Sequence, residues 1–216
     1  MAEKGEEAAV RDKHSHFFCT SLQQWQAELQ SNRLRQTADA IEADYRNVEV
    51  AWEYALEQRH WEWLLLAVNG LGTYFDVGGR WLKGITLFQE SAQRLQPKPK
   101  AIPTTSTAAR LLIWLSAWQV NLEFNARGQE VAYPQSVYQH LLQPCFGLLQ
   151  QPFLFDVDYR AEEAFLRLQM GRVLIHMGEY EVGKTFLTTC LRLYRELEDL
   201  LGVADTLRAI CYSTSD

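Results

Sequence analysis

The chain has 216 residues, 47% of them hydrophobic, and a formal net charge of −6, so it is long enough to bury a sizeable core. Nucleic-acid binding depends on Lys and Arg side chains that neutralise phosphates, and a chain with 21 basic and 27 acidic residues is poorly suited to it. No cluster of five or more basic residues occurs, which also disfavours binding to an anionic membrane surface.

Cysteine use and the N-terminus both predict a cytoplasmic protein. The first 18 residues are charged where a secretory signal peptide would be apolar, and no stretch approaches the length of an apolar membrane span. Cys19, Cys145, Cys190 and Cys211 are far apart and form no C-x-x-C pair. Neither a disulfide framework nor a zinc site is therefore indicated, and we expect no metal and no cofactor.

Apolar residues recur at helical spacing along most of the chain, and no segment shows the period of two that marks a strand. We therefore predict an all-α fold of about nine helices. The predicted helices span residues 6–30, 34–58, 61–75, 80–95, 108–124, 134–149, 160–177, 180–198 and 203–212. Proline-containing loops are predicted at 96–106 and 151–158, and Ser106 or Thr107 is expected to cap the helix after the first loop.

The first two predicted helices each carry one apolar face, which we expect to be buried. The face of the first helix consists of Val10, Phe17, Phe18, Leu22, Trp25 and Leu29. The face of the second helix consists of Ile41, Tyr45, Val48, Trp52, Ala55 and Leu56.

Residues 68–95 predict a helix, a tight turn and a second helix. Gly78 and Gly79 are placed to end the first helix, because glycine enters the left-handed conformation without a Cβ penalty. The facing stripe of the first helix is Val68, Leu71, Gly72 and Phe75. The facing stripe of the second helix is Trp81, Gly84, Phe88 and Ser91. Large residues are thus expected to meet small ones across the pair.

This order of residue types resembles the tetratricopeptide repeat, which begins W-x2-L-G-x2-Y and continues with A-x3-F over about 34 residues. Val68 stands in the place of the Trp, Leu71–Gly72 matches the Leu-Gly, Phe75 matches the Tyr, and Gly84 with Phe88 matches the Ala and Phe. The resemblance implies a right-handed superhelical array of antiparallel helix pairs, that is, a solenoid.

A second copy of the pattern follows at the same mutual spacings without a gap. Its residues are Met170–Gly171, Leu174, Gly178, Tyr180, Gly183, Leu187 and Cys190. A weaker copy starts with Leu112, Leu115–Ser116 and Trp118, and its second helix is displaced by the extra segment 126–133. A further copy begins at Leu207, Ile210 and Cys211.

Because one such unit cannot bury its apolar face alone, we predict that the copies stack into a single domain over residues 1–216. Within it we expect an N-terminal helical pair, a repeat, a divergent repeat with an insertion, another repeat and the start of a truncated one. Their respective spans are 1–58, 60–96, 106–150, 160–198 and 201–216.

The front of the chain also resembles the start of the helical sensor in bacterial signal-transduction ATPases related to maltose-type and antibiotic-type transcriptional activators. The similar segments are KHSHFF at 13–18, IEADYRNV at 41–48, AW at 51–52 and AL at 55–56. The resemblance implies that the chain is one piece of a larger protein, with an ATPase domain and an output domain as its partners in that protein.

In the repeat family, the first helix of each pair lines a concave groove that receives a protein, a peptide or a small effector. Carried over residue by residue, the resemblance implies groove positions at Asn69, Thr73, Asp76, Arg110, Asn121, Arg172, Ile175 and His176. The alternative is that these are ordinary surface polar residues.

The sharpest enzymatic motif is GEYEVGKT at 178–185, which satisfies the phosphate-loop pattern G-x-x-x-x-G-K-[ST]. In this alternative, Lys184 and Thr185 bind a nucleotide. A working phosphate loop requires a preceding strand and a downstream acidic residue on another strand, and the surrounding sequence predicts helices instead. The repeat accounts for both glycines, with Gly178 at the turn and Gly183 facing Leu174.

Two other clusters have non-catalytic explanations. His14, His16 and Cys19 suggest a metal, but residues two apart on a helix point in nearly opposite directions. Asp156 with Asp158, and Glu162 with Glu163, could be paired carboxylates. They are more often a loop and a solvated helix start.

The leading hypothesis is a non-catalytic interaction or sensor module. The alternatives are a nucleotide-binding enzyme and a scaffold that self-associates through a C-terminal face where Leu207 and Ile210 lack partners.

Overall fold

The structure is a computed structural model that describes residues 2–96, 103–127 and 135–212. Within these ranges the regular secondary structure is helical and no strand occurs, which confirms the all-α class and the expected nine helices. We number them α1 Ala2–Leu29, α2 Leu34–Gln58, α3 Trp61–Val77, α4 Trp81–Leu95, α5 Ser106–Arg127, α6 135–148, α7 Arg160–His176, α8 Tyr180–Glu196 and α9 Leu200–Tyr212. None of the described helices is both long and apolar enough to cross a membrane.

Contacts between Cα atoms divide the chain into two compact units, Met1–Arg94 (unit 1) and Leu95–Asp216 (unit 2). Unit 1 contains α1 to α4 and unit 2 contains α5 to α9. The helix boundaries fall within the predicted repeat spans, except that α9 begins at Leu200, one residue before the span 201–216. That these spans form one domain, and that they stack as a solenoid, stay predictions.

Unit 1 is built on a very close crossing of α1 and α3. A Cβ atom added at Gly70 would overlap the backbone carbonyl oxygen of Leu22, so only glycine permits this approach. α2 packs on both helices, and Trp52 of α2 contacts Phe88 of α4 with ring centroids 6.1 Å apart. The Trp52 indole Nε1 donates a hydrogen bond to Ser91 Oγ at 3.0 Å, which satisfies a polar atom inside the core.

The predicted face of α2 is buried throughout, but the predicted face of α1 is partly wrong. Val10 and Phe17 are 65% and 61% exposed, whereas Ser15 and Cys19 are buried. The reason is that α1 must contact two helices at once, and the Ser15 hydroxyl donates a hydrogen bond to the backbone oxygen of Ala51 at 2.7 Å. A small polar side chain therefore lies where the apolar pattern alone would place a large residue.

Unit 2 has its own core, to which α5 contributes many buried residues, and one buried cluster of it joins α7, α8 and α9. Leu168, Leu187, Cys190, Leu193 and Tyr194 are among its buried members. α7 and α8 cross closely at Gly171 and Gly183. A Cβ atom at Gly183 would lie 2.8 Å from Ile175 Cγ1 and 3.0 Å from the Gly171 oxygen. Gly183 therefore faces Gly171 and Ile175 rather than Leu174.

Four helices of the two units end in the same backbone turn. Each of α2, α3, α7 and α8 is followed by a residue with positive φ, at Arg59 (60°), Gly79 (65°), Gly178 (83°) and Glu198 (57°). In each turn the next residue donates its N–H to a carbonyl five residues back, at 2.9–3.0 Å, as from Arg80 to Phe75 and from Glu179 to Leu174. This is the Schellman arrangement, which satisfies carbonyls at a helix end. The two glycine turns confirm the prediction.

The entry to α5 differs from the prediction. Ser106 is already the first helical residue, and Thr105 is the cap, because its Oγ1 accepts the N–H of Ala108 at 3.2 Å. α5 also continues to Arg127. Most of the predicted insertion at 126–133 lies outside the described residues. After it, α6 joins Gln135–Val137 to Gln143–Leu148 through a π-helical turn at Tyr138–Leu142.

Candidate functional site

A cleft of about 470 Å³ opens in unit 2 where four helices approach one another. It is bordered by the C-terminal part of α5, the end of α7, the start of α8 and the second half of α9. Its lining residues are Phe124, Asn125, Arg172, Ile175, His176, Tyr180, Arg208, Ala209 and Tyr212. A volume of this size is in the range of small-molecule sites.

Helical spacing explains why these side chains meet. Arg172, Ile175 and His176 are three and four residues apart, so they share one face of α7. Arg208 and Tyr212 share a face of α9 in the same way. The left-handed turn at Gly178 reverses the chain, so that Tyr180 begins α8 beside the last turn of α7.

Arg172 is held in place by a polar and an aromatic contact. Its Nη1 donates a hydrogen bond to Asn121 Oδ1 at 3.1 Å. Its guanidinium carbon lies 5.2 Å from the centroid of the Phe124 ring, within the range of a cation–π interaction. Asn121 is itself buried. The position of this cation is therefore defined by α5.

His176 also contacts Phe124. Its ring meets the Phe124 ring edge to face at a centroid distance of 4.9 Å. Burial and the neighbouring positive charge of Arg172 together lower the pKa of His176 below its usual value, because both disfavour the imidazolium form. The imidazole is thus biased toward its neutral form.

The charge of the cleft is opposite to that of the chain. Arg172 and Arg208 both line it, and within residues 2–96, 103–127 and 135–212 no Asp or Glu lines it, although the whole chain has a net charge of −6. Arg208 pairs with Asp205 at 2.7 Å, but the two side chains are largely exposed, and ion pairs of this kind contribute about 0–1 kcal/mol. The cleft is a local positive region with aromatic walls.

Four of the eight predicted groove residues come together here. Arg172, Ile175 and His176 line the cleft, and Asn121 accepts a hydrogen bond from Arg172. Arg110 lies elsewhere in unit 2, where its Nε donates to Glu162 Oε1 at 2.6 Å. Glu162 is fully buried, so the expectation that it is part of a solvated helix start is wrong.

The remaining three predicted groove residues belong to α3 of unit 1. Asn69 and Asp76 are half-buried, and Thr73 is buried, so the Thr73 side chain offers little surface to a partner. The backbone oxygen of Asp76 accepts a hydrogen bond from Trp81 Nε1 at 3.2 Å, which ties α3 to the start of α4.

Sequence reasoning missed Phe124, Asn125, Tyr180, Arg208, Ala209 and Tyr212. One of them, Tyr212, could have been predicted from the sequence. The alignment of Met170–Gly171 with Ile210–Cys211 places Tyr212 at the position that corresponds to Arg172. Arg208 and Tyr180 have no such indication, because their contribution depends on how α8 and α9 pack on α7.

Residues 178–185 form a turn and the first part of α8. Arg172–Met177, which a phosphate loop would require as a strand, belongs to α7 and its C-cap. Thr185 Oγ1 donates to the backbone oxygen of Glu181 at 3.0 Å, and Lys184 Nζ lies 3.6 Å from Glu181 Oε1. Both side chains therefore make ordinary contacts of a helix surface, and the described part of the chain contains no strand that could support a phosphate loop.

The other clusters also make local contacts. Asp158 pairs with Arg160 at 2.7 Å, and hydrogen bonds from Arg160 lower the pKa of Asp158 to about 2. Glu163 pairs with Arg167 at 2.7 Å. The rings of His14 and His16 lie against Phe18 and Trp63. Across residues 2–96, 103–127 and 135–212, no group of three His, Cys, Asp or Glu side chains is placed to hold a metal ion.

The chain has no significant match among protein-family models, curated proteins or solved structures. Its candidate function therefore rests on the residues and the geometry described above.

Proposed function

We propose that the chain is a non-catalytic recognition module of tetratricopeptide-like helix pairs, which binds a small effector or a partner segment in the cleft of unit 2. The observation that carries the proposal is the convergence of Arg172, Ile175 and His176 with side chains of three other helices around one open volume of about 470 Å³. These three positions were selected from the sequence by the groove rule of the repeat family.

Corresponding residues in the two helix pairs support the repeat part of the proposal. Gly84, Phe88 and Ser91 of α4 are buried, and so are Gly183, Leu187 and Cys190 at the equivalent positions of α8. Helices of one family of repeats are expected to share such a burial pattern. By the resemblance at the front of the chain, we further propose that the module belongs to a larger cytoplasmic signalling protein with ATPase and transcription-regulating output domains.

A fragment titration followed by NMR tests the binding function. We expect the resonances that shift on addition of small aromatic and aliphatic fragments to cluster on the cleft residues. Tyr212→Ala should weaken binding, because Tyr212 forms one wall and is 55% exposed, so that its loss should leave the core intact. Leu200→Ala is the matched control, since Leu200 lies on the same helix but is not among the lining residues. Shifts that cluster elsewhere, or equal affinities of both variants, would contradict the proposal.

Calorimetric titration with ATP and magnesium tests the nucleotide-binding alternative, with Lys184→Ala as the comparison. We expect no binding by either protein. Binding by the wild type that is lost in Lys184→Ala would favour an enzyme and contradict a purely non-catalytic role.

Self-association is a second candidate, favoured by exposed leucines on α9. Leu200 and Leu207 are 79% and 42% exposed, and Leu201 is exposed beside them. Ile210 packs against the core of unit 2, so the expectation that it lacks a partner is wrong. If a second copy of the chain covers these leucines, sedimentation will show a concentration-dependent mass that Leu200→Glu abolishes. A constant monomeric mass over the accessible concentrations would exclude this candidate.

A further inference from the structure

We propose that the cleft of unit 2 selects a small organic anion, in which a carboxylate or phosphate group is joined to an aromatic or similarly flat apolar body. This inference rests on the proposed function, because it names the ligand class of the same cleft.

Two arginines provide the charge. Arg172 enters from α7 and Arg208 from α9, and both line a cleft to which the described part of the chain contributes no lining carboxylate. A planar guanidinium matches the geometry of a carboxylate or a phosphate and can bind it through two parallel hydrogen bonds. An anion that entered the cleft would therefore meet cationic donors from two helices, one of which, Arg208, is paired with Asp205.

One of these cations is already ordered. The hydrogen bond from Arg172 to Asn121 and the contact of Arg172 with the Phe124 ring place the guanidinium before any ligand arrives. Less side-chain entropy is then lost on binding, which is the usual advantage of a preorganised site. The ion pair of Arg208 with Asp205 is exposed and weak enough to be exchanged for a ligand.

Aromatic side chains of the cleft match the flat apolar body of the proposed ligand. Tyr180 and Tyr212 are 40% and 55% exposed, although aromatic side chains of this size usually bury most of their surface. Together with Phe124, which comes from α5, they contribute aromatic surface to the cleft from three helices. A flat apolar body would cover this surface, while inorganic phosphate alone would leave it uncovered.

The test compares matched probes by NMR titration of the full chain. The probes are 1-naphthoate, the neutral isostere 1-naphthamide, 1-naphthyl phosphate and inorganic phosphate. We expect either naphthyl anion to bind about tenfold more tightly than the amide, the factor that corresponds to one charge-assisted hydrogen bond. The two naphthyl anions distinguish a carboxylate ligand from a phosphate ligand. Bound anion should also raise the pKa of His176, which the neutral amide should not do.

Variants assign the effect to the two arginines. Arg172→Gln and Arg208→Gln should each weaken binding of the better anion about tenfold and leave binding of the amide within about twofold. Arg208 lies on the surface, so its variant keeps the test valid if Arg172→Gln is unstable. Arg192→Gln is the control, because Arg192 also forms an exposed ion pair within its own helix, with Glu196, and does not line the cleft.

The outcomes separate the two proposals. Binding of the amide in the cleft with an affinity equal to that of the anions would overturn the anion selectivity and leave the recognition function standing. Equal losses in Arg208→Gln and Arg192→Gln would also overturn it. If no probe shifts a cleft resonance, the recognition function falls, and the ligand class falls with it.

Discussion

The helix pairs α3–α4 and α7–α8 bury corresponding positions in the same way but connect them to different neighbours. Ser91 of α4 accepts a hydrogen bond from Trp52 of α2, the helix before the pair α3–α4. At the equivalent position of α8, Cys190 Sγ lies 3.2 Å from Thr206 Oγ1 of the following helix α9. The same position of the pattern therefore connects α3–α4 to the helix before the pair, α2, but connects α7–α8 to the helix after the pair, α9.

Close helix crossings at glycine residues differ in a parallel way. In unit 1 the close approach is at Gly70, against the backbone of α1. In unit 2 it is at Gly171 and Gly183, within the pair itself. The pair α3–α4 therefore approaches a helix outside the pair most closely at Gly70, whereas α7–α8 has its close approach within the pair. The following changes test that difference, beginning with the largest expected effect.

Gly70→Ala should destabilise the protein far more than Gly171→Ala. At Gly70 the new methyl group meets the Leu22 backbone, which cannot move without separating α1 from α3, so we expect a loss of about 3 kcal/mol or more. At Gly171 the nearest atoms belong to the Leu187 side chain, at 2.6 and 2.7 Å, and the Gly183 backbone oxygen is farther away at 3.1 Å, so we expect a smaller loss of about 1–2 kcal/mol. Urea denaturation measures both.

Gly147→Ala is the control for this pair, because a Cβ atom there would meet nothing within 4 Å. The substitution should be neutral or stabilise α6 by up to about 1 kcal/mol through helix propensity. Equal losses at Gly70 and Gly171 would mean that the two crossings are equivalent.

Arg110→Met should be the next most harmful change. Glu162 is fully buried beside Arg110, and removing the partner of a buried charge costs about 3 kcal/mol. Arg80→Met in unit 1 is the matched comparison. Arg80 pairs with Glu42 at 2.7 Å, but that pair is exposed, so about 1 kcal/mol or less is expected. Thermal unfolding of both variants gives the comparison.

The double variant Arg110→Met/Glu162→Gln should recover part of the loss, because it removes the buried charge together with its partner. No recovery would show that Arg110 stabilises unit 2 through packing and not through its charge.

The four left-handed turns should respond to substitution with opposite signs. Gly79→Ala and Gly178→Ala introduce a Cβ atom at positive φ and should each cost about 1 kcal/mol, with no other contact within 4 Å to alter the value. Arg59→Gly and Glu198→Gly remove a Cβ atom from this conformation and should stabilise the protein. The gain should be only about 0.5 kcal/mol, because the larger entropy that glycine loses on folding offsets part of it. Equilibrium unfolding in guanidinium chloride measures the free energy of unfolding of all four variants. Different costs at Gly79 and Gly178 would contradict the equivalence of the two turns.

The smallest effect is the pH dependence that His176 gives to unit 2. Because its pKa is lower in the folded protein than in the unfolded chain, the unfolded chain binds more protons, and stability should fall as the pH drops through the unfolded pKa of about 6.5 toward the folded value. Arg172→Gln should raise the pKa of His176 and reduce this dependence. Titration of the His176 ring by NMR checks the direction, and an unchanged pKa in the variant would remove Arg172 as a cause.

Local patterns were sufficient for much of the fold. The bounds of α2 and α3, the turn glycines Gly79 and Gly178, and the burial of the α2 face could all be predicted, because helix periodicity and the conformational freedom of glycine act within a few residues. The same patterns aligned Gly84 with Gly183, and both are buried. The resemblance to the repeat family, carried over residue by residue, selected Arg172, Ile175 and His176 of the candidate site.

Only the tertiary structure decided which residues complete the site and where the chain approaches itself most closely. Gly70 matters because α1 lies on it, Glu162 is buried because Arg110 lies beside it, and Arg208 and Tyr180 line the cleft because α8 and α9 fold back on α7. The sequence by itself determined the helices, the glycine turns and the register of the two pairs, since these depend on neighbouring residues. The cleft depends on contacts between residues distant in sequence, and no local preference specifies them.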